Sequence, residues 1–311
     1  MERVGPDERV GGVPPEAVRA LLASVDACAG HATHASDLVD VPLTAERARW
    51  FKLDVSFALT AARHARFSVN DKGEPIAFRD RAERLLPRLG LPAGAIRRFF
   101  DVAAPGRVQT TLAVKWSAAR EAPDRITLYL EELARDRHHA QIRRDVFGLG
   151  GLAAPAVPDG AVPVAVCIDY ARGVPVAFKS YDMFVDAPGA ANHAVPPALV
   201  DALAALPAHP VSGTRRYMLA SRTAPDGTAL GHKLLWITEV HRPELGQWAW
   251  AHVDAWRASW AQHAHPAVAR ALDELRARWA YGASAFLSPD LVCLNADASG
   301  ERELIVYVSL R

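Results

Sequence analysis

The residues best equipped for chemistry lie in short segments rich in β-branched and aromatic side chains, where cationic and phenolic groups alternate with aliphatic ones. In Phe178-Lys179-Ser180-Tyr181 an ammonium sits among aromatic rings. Turned inward, such a group is costly to bury unless an anion meets it, which makes Lys179 a candidate anion ligand. In Arg125-Ile126-Thr127-Leu128-Tyr129-Leu130, Arg125, Thr127 and Tyr129 share one strand face while Ile126, Leu128 and Leu130 share the other. The segment Glu303–Leu310 divides in the same way, with Glu303, Ile305, Tyr307 and Ser309 opposite Leu304, Val306, Val308 and Leu310. A strand tyrosine serves either as a core aromatic with a satisfied hydroxyl or as a face offered to a bound cation. Shared parity in separate segments places the second role beside the first. Asp54, within Leu53-Asp54-Val55-Ser56-Phe57, is either a carboxylate at a strand edge or a functional acid.

Other constellations are weaker. His138-His139 stand in a charge-rich helical stretch with Arg135, Asp136 and Arg137 and read as a solvated face. His263-x-His265 has the spacing of a ligand pair but no third ligand beside it, so no metal centre is expected. Gly148-Leu149-Gly150-Gly151 follows a helix rather than a strand, which makes it a helix stop and linker instead of a phosphate loop. No G-x-S-x-G elbow, P-loop or dinucleotide fingerprint is present. Cys28, Cys167 and Cys293 are far apart with no C-x-x-C pair, so neither a disulfide framework nor a thiolate zinc cage is expected, and a reducing cytoplasm is the natural setting. With Lys and Arg at 36 against Asp and Glu at 35, no global positive field concentrates a nucleic acid. No run of about 18 uncharged apolar residues suits a membrane span, and neither nucleic acid nor membrane is an expected partner.

These residues must be held by regular elements, and a repeat supplies them. Five regions read as strand pairs closed by a turn, near 51–70, 108–130, 164–184, 215–239 and 291–310. Between them the hydrophobic period changes from 2 to about 3.6. Val18, Leu21, Leu22 and Val25 mark one helix, 78–100 another broken near Pro87 and Pro92, and 131–147 a third. A short fourth opens at Pro196-Pro197, and 245–281 holds a fifth divided at Pro266. Trp248, Trp250, Trp256 and Trp260 in this fifth region are expected to pack helix onto sheet, or less favourably to form a dimer surface. A sheet with one apolar face and one face mixing tyrosine with charge fits a closed barrel, coated by helices outside and holding a ligand inside. At 311 residues the chain is then a single domain of repeated units rather than two lobes.

At this level the chain resembles the aromatic prenyltransferases of the ABBA, or PT-barrel, class. The similarity rests on the repeat, on Leu53-Asp54-Val55-Ser56-Phe57, on Val108-Gln109-x-Thr111 with Ile126-Thr127-Leu128-Tyr129-Leu130-x-Glu132-Leu133, and on Phe178-Lys179-Ser180-Tyr181. It implies an α+β fold: five α-β-β-α units forming a ten-stranded antiparallel barrel, a single domain over 1–311 with its active site in the lumen. It further implies transfer of a dimethylallyl or geranyl group from an allylic diphosphate to an aromatic small molecule or peptide in secondary metabolism. Arg66, Lys115, Arg125 and Lys179 would then hold the diphosphate. Tyr129, Tyr181, Tyr217, Trp236 and Tyr307 would shield the allylic carbocation, at roughly 0.5–2 kcal/mol per ring. Asp54 would orient the acceptor or take its proton, with Gln109 and Thr127 contacting the acceptor. No cofactor is required, Mg²⁺ is not predicted in the absence of a D-D-x-x-D motif, and a monomer is expected, with a dimer as the alternative.

The chain also departs from that family. Where its members usually carry Arg-x-Lys-x-Tyr on return strands, this chain has Thr127 before Tyr129, Ala177 before Lys179 and Ile305 before Tyr307. The fourth return strand reads with His232, Leu234, Trp236 and Thr238 toward the lumen and Lys233 away from it. A thin cationic shell is therefore expected, and the alternative function is a barrel of the same architecture that binds a small hydrophobic ligand or runs a reaction without diphosphate.

Overall fold

The computed structural model describes residues 23, 53–59, 66–73, 79, 82–103, 109–117, 124–131, 133, 138–187, 189–190, 192, 194–240, 242–259, 266–280, 286–296 and 302–310. All of the first expected helix but Ala23, with Cys28, Trp260 and the His263-x-His265 pair, lies outside them.

Among the described residues ten strands follow in chain order: β1 (Leu53–Ala58), β2 (Arg66–Gly73), β3 (Gln109–Ser117), β4 (Arg125–Glu131), β5 (Val162–Ala171), β6 (Val174–Asp186), β7 (Arg215–Thr223), β8 (Ala229–Ile237), β9 (Leu287–Ala296) and β10 (Arg302–Leu310). Each pairs antiparallel with its sequence neighbours, and β1 closes the sheet against β10. Closure leaves no open edge for another chain to extend. The helices lie between the hairpins: α1 (Ala93–Ala103), α2 (His139–Gly148), α3 (Val200–Ala204), α4 (Pro243–Ser259) and α5 (Pro266–Arg278).

Local sequence explains several of these boundaries. The break expected near Pro87 and Pro92 is a 3-10 turn over Leu86–Leu89 that stops at Gly90, whose φ of 87° suits glycine, before α1 begins beyond Pro92. Of the stretch read as helix over 131–147, Glu131 ends β4, Leu133 is in a 3-10 turn, and the α-helix runs from His139 to Gly148, where the glycine run begins. Between β5 and β6, Arg172 and Gly173 both take positive φ, at 50° and 79°, making a two-residue turn whose twist matches the flanking strands.

Side-chain burial separates two cores. Val166, Ile168, Phe178, Leu219, Leu234, Val292 and Val306 join the helix residues Ile96, Val146, Trp250 and Leu272 in one large cluster, which is the layer between sheet and helices. The alternate residues Cys167, Tyr181, Met218, Leu235, Cys293 and Ile305 form a second, smaller cluster. Because every strand alternates between the two, this second cluster is the barrel lumen.

Candidate active site in the barrel lumen

The lumen is graded along its axis. Toward the ends where hairpins turn, β3, β4, β6, β7 and β8 carry Lys115, Arg125, Lys179, Arg222 and Lys233 on the inner face. Aromatic and sulfur-bearing side chains adjoin them: Cys167 pairs with Lys179 and Tyr129 with Cys167, while Tyr181 is the next inward residue beyond Lys179. Tyr129 and Tyr181 approach with ring centroids 6.1 Å apart, and Tyr307 packs on the same cluster.

The centre of the cationic end is Asp169 on β5, fully buried. Its Oδ2 lies 2.5 Å from the Lys179 ammonium and 3.4 Å from the Arg125 guanidinium. Its Oδ1 accepts the Thr127 hydroxyl at 2.6 Å and stands 4.0 Å from Lys115. Register accounts for the convergence. Asp169 is directly opposite Thr127 on one side and Ala177 on the other, so the small alanine leaves it free to reach Lys179, which pairs one step deeper with Cys167. Arg125 and Lys115, paired with each other one step nearer the turn, approach it from the opposite direction.

Electrostatics follow from that geometry. Burial alone would raise the Asp169 carboxyl, but Lys179, Lys115 and Arg125 together hold it well below the usual carboxylate range. Lys115 is pushed down to about 7, first by burial and then by Lys179, with Lys233 and Arg125 adding to the repulsion that Asp169 only partly offsets. Lys233 is lowered too, chiefly by burial, with Lys179 and Arg222 adding and Cys293 and Glu303 opposing. Among the described residues Lys233 has no carboxylate within ion-pair distance, and the Arg222 Nε has no hydrogen-bond partner. Burial likewise raises the Tyr129 and Tyr181 hydroxyls and pushes the Cys167 thiol up to about 12, so all three are neutral at ordinary pH.

Two aromatic residues expected in the lumen lie outside it. Tyr217 pairs in register with Trp236, and both face the helices. Tyr217 donates its hydroxyl to Asp186 and accepts from Asn192. Trp236 meets Trp248, Trp256 and His252 edge-on at 5.2, 5.3 and 5.8 Å. The physical reason is that β8 presents Leu234 and Trp236 to the α4 layer, which leaves Lys233, Leu235 and Ile237 inside, the reverse of the parity read from the sequence. That correction adds Lys233 to the shell expected to be thin. Thr127, expected beside the acceptor, donates its hydroxyl hydrogen bond to Asp169. Lys179 is not the unpaired ammonium its sequence context suggested.

For other expected residues the backbone alone is described. Asp54 pairs with Asn70 and Ser309 at the end of the barrel opposite the cations, Arg66 is opposite Ser117, and Gln109 is opposite Glu131. Near the register position of Asp54, the irregularity between Tyr307 and Val308 makes Asp290 the extra residue of a bulge, where its side chain accepts the Ser309 hydroxyl at 2.8 Å. Sequence reading missed Asp169, Arg222, Lys233 and Asp290. Asp169 had a signal, since it continues the inward parity of Ala165 and Cys167 against apolar Val166, Ile168 and Tyr170. Among the described residues no three or more metal-ligating side chains gather, and no helix is long and apolar enough to cross a membrane.

Similar folds occur among solved structures. The 5-dimethylallyltryptophan synthase from Streptomyces coelicolor aligns over 97% of this chain and 98% of its own, with a TM-score of 0.67 at 16% identity. The 6-dimethylallyltryptophan synthase from Micromonospora olivasterospora, solved in complex with DMASPP and Trp, aligns over 94% and 96% with a TM-score of 0.63 at 16% identity. AnaPT from Neosartorya fischeri aligns over 84% and 78% with a TM-score of 0.53 at 13% identity. No protein-family model and no curated protein sequence matches the chain. The likeness is one of fold: an antiparallel sheet curled into a barrel and coated by helices, as in the PT-barrel aromatic prenyltransferases.

Proposed function

We propose that this protein is an aromatic prenyltransferase, built from five α-β-β-α units, that moves a short prenyl group such as dimethylallyl or geranyl from an allylic diphosphate to an aromatic acceptor. The observation that carries the proposal is the convergence of Lys115, Arg125 and Lys179 at one end of the lumen, with Lys233 and Arg222 beside them and tyrosines immediately deeper. Solved neighbours of the same fold include dimethylallyltryptophan synthases, one of them in complex with DMASPP and Trp.

In this reading the allylic C–O bond breaks, and the diphosphate leaves with the bonding electrons toward the five cationic groups. Fixed donors in a site poor in water stabilise that developing charge without reorganising. The allylic cation forms against Tyr129, Tyr181 and Tyr307, whose ring faces attract it and keep water away. A ring carbon or heteroatom of the acceptor attacks the cation and then gives up its proton to a base on the acceptor side, the part assigned to Asp54. Asp54 takes the acceptor-side role, at the end opposite the diphosphate. The acceptor is a phenol, an indole, a phenazine or an aromatic peptide residue. No metal is required for diphosphate departure, and the enzyme works as a cytoplasmic monomer in secondary metabolism.

A second reading, a barrel that binds a hydrophobic ligand and handles no diphosphate, is favoured by one observation: Asp169 already neutralises part of the cationic end. Calorimetry with a non-hydrolysable thiolodiphosphate analogue of dimethylallyl diphosphate separates the two. Binding supports the transferase, and failure to bind at millimolar analogue overturns it. Asp54→Asn is expected to lower turnover more than donor affinity; equal losses in both would remove Asp54 from the acceptor side.

A further inference from the structure

We propose that Asp169 is an internal counter-anion that competes with the donor's diphosphate for Lys115, Arg125 and Lys179, and so sets how tightly the barrel holds the donor and how fast it releases inorganic diphosphate. The inference rests on the transferase reading and extends it to a positioning residue.

The geometry gives three reasons. First, the carboxylate touches the same head groups that must meet a diphosphate, and does so unequally, at 2.5 Å from Lys179, 3.4 Å from Arg125 and 4.0 Å from Lys115. One carboxylate cannot satisfy three cations, so the cluster retains affinity for a second anion. Second, Thr127 anchors Oδ1 from the adjacent strand, so Asp169 is held in place whether or not its cations turn away from it. An anchored competitor lowers affinity for the incoming anion while keeping the empty lumen from accumulating unopposed buried charge. Third, Lys233 and Arg222 lie beside the cluster without an ion pair to Asp169, so they can meet an arriving diphosphate without first leaving that carboxylate. Competition of this kind serves turnover, because diphosphate held by five unopposed cations would leave slowly after the prenyl group has moved.

The exchange has a proton signature at Lys115, the cation that Asp169 holds least. The groups facing it are Asp169 on β5, Arg125 on β4, Lys179 on β6 and Lys233 on β8, with Ser68 opposite it in register on β2. Three of the four charged groups repel its proton, and burial lowers its affinity to a pKa of about 7. A diphosphate placed among them reverses the balance, so above that pH donor binding draws a proton onto Lys115.

The test is calorimetry on the full chain with inorganic diphosphate and with the thiolodiphosphate analogue. Asp169→Asn, which keeps the shape and can still accept from Thr127, is expected to bind inorganic diphosphate about tenfold tighter. Under steady-state turnover both KM for the donor and kcat should fall, the pattern of slowed release. Unchanged or weaker diphosphate binding by a folded Asp169→Asn overturns the proposal, because a residue that merely holds its cations in place weakens binding when removed. The wild-type protein supplies an arm that does not depend on the variant folding. At about pH 8, titrations in buffers of different ionisation enthalpy should show net proton uptake on analogue binding, and Lys115→Arg should bind with that uptake lost. Binding without uptake in the wild type also overturns it. Failure of the wild type to bind either ligand instead rejects the transferase reading itself.

Discussion

The two faces of the β5–β6 hairpin bury charge in opposite ways. On the helix-facing side Asp182 accepts two hydrogen bonds from Arg143 of α2, at 2.5 and 2.9 Å, with both side chains buried: one carboxylate meets one guanidinium through matched pairs of atoms. On the lumenal side Asp169 meets three cations at graded distances while two more stand near. The outer pair is matched charge for charge, and only the Arg143 Nε is left without an acceptor. The inner cluster carries more cations than anions and is open to another anion. Parity on the same two strands thus separates a matched ion pair from a cluster with surplus positive charge.

The comparison can be broken from either side, and the largest effect belongs to the outer face. Asp182→Ala leaves Arg143 buried and unpaired, which should cost about 3–5 kcal/mol of folding stability, read from denaturant unfolding. Donor affinity of the protein that remains folded should be unchanged. On the inner face Lys179→Ala should weaken thiolodiphosphate binding by about 1.5–3 kcal/mol, the range for a charge-assisted contact; unchanged affinity would take Lys179 out of the site. Trp236→Phe probes the corrected parity. Cutting into the edge-on cluster with Trp248 and Trp256 should cost about 1 kcal/mol of stability and leave donor binding as it was. A loss of donor affinity would return Trp236 to the lumen.

The smallest effect is a pH trend that sharpens the contrast. Lys115 has a folded pKa of about 7, below its ordinary 10.5, so between those values the unfolded chain binds more protons than the folded one. Its contribution to stability therefore rises with pH through that window, the sense expected of a buried base. Donor affinity should move the other way, falling as pH rises above about 7, because the neutral amine no longer attracts phosphate. Lys115→Arg should flatten both trends. A single group that favours folding and opposes binding as pH rises would mark the inner face as built for a ligand.

Much of the fold is legible in the sequence. Hairpins, helix breaks at Pro87 and Pro92, and the inward parity of Arg125, Thr127, Tyr129 and Tyr307 all follow from local rules, because strand alternation and proline geometry act within a few residues. β8 failed for an instructive reason. Both its faces carry large apolar groups, so alternation alone does not say which side meets the helices. The α4 tryptophans decide the matter by packing against Trp236 from outside.

By itself the sequence determined a repeated helix-and-hairpin chain, the barrel that such a chain closes into, and the inward placement of Lys179 and its tyrosine neighbours. Only the tertiary structure decided what those inward groups meet. Asp169 comes to three cations from β3, β4 and β6 through cross-strand register, and register is a relation among residues as much as 64 positions apart, from Lys115 to Lys179. No local pattern encodes such a meeting: closure of the sheet brings these charges together, and burial gives their surplus its strength.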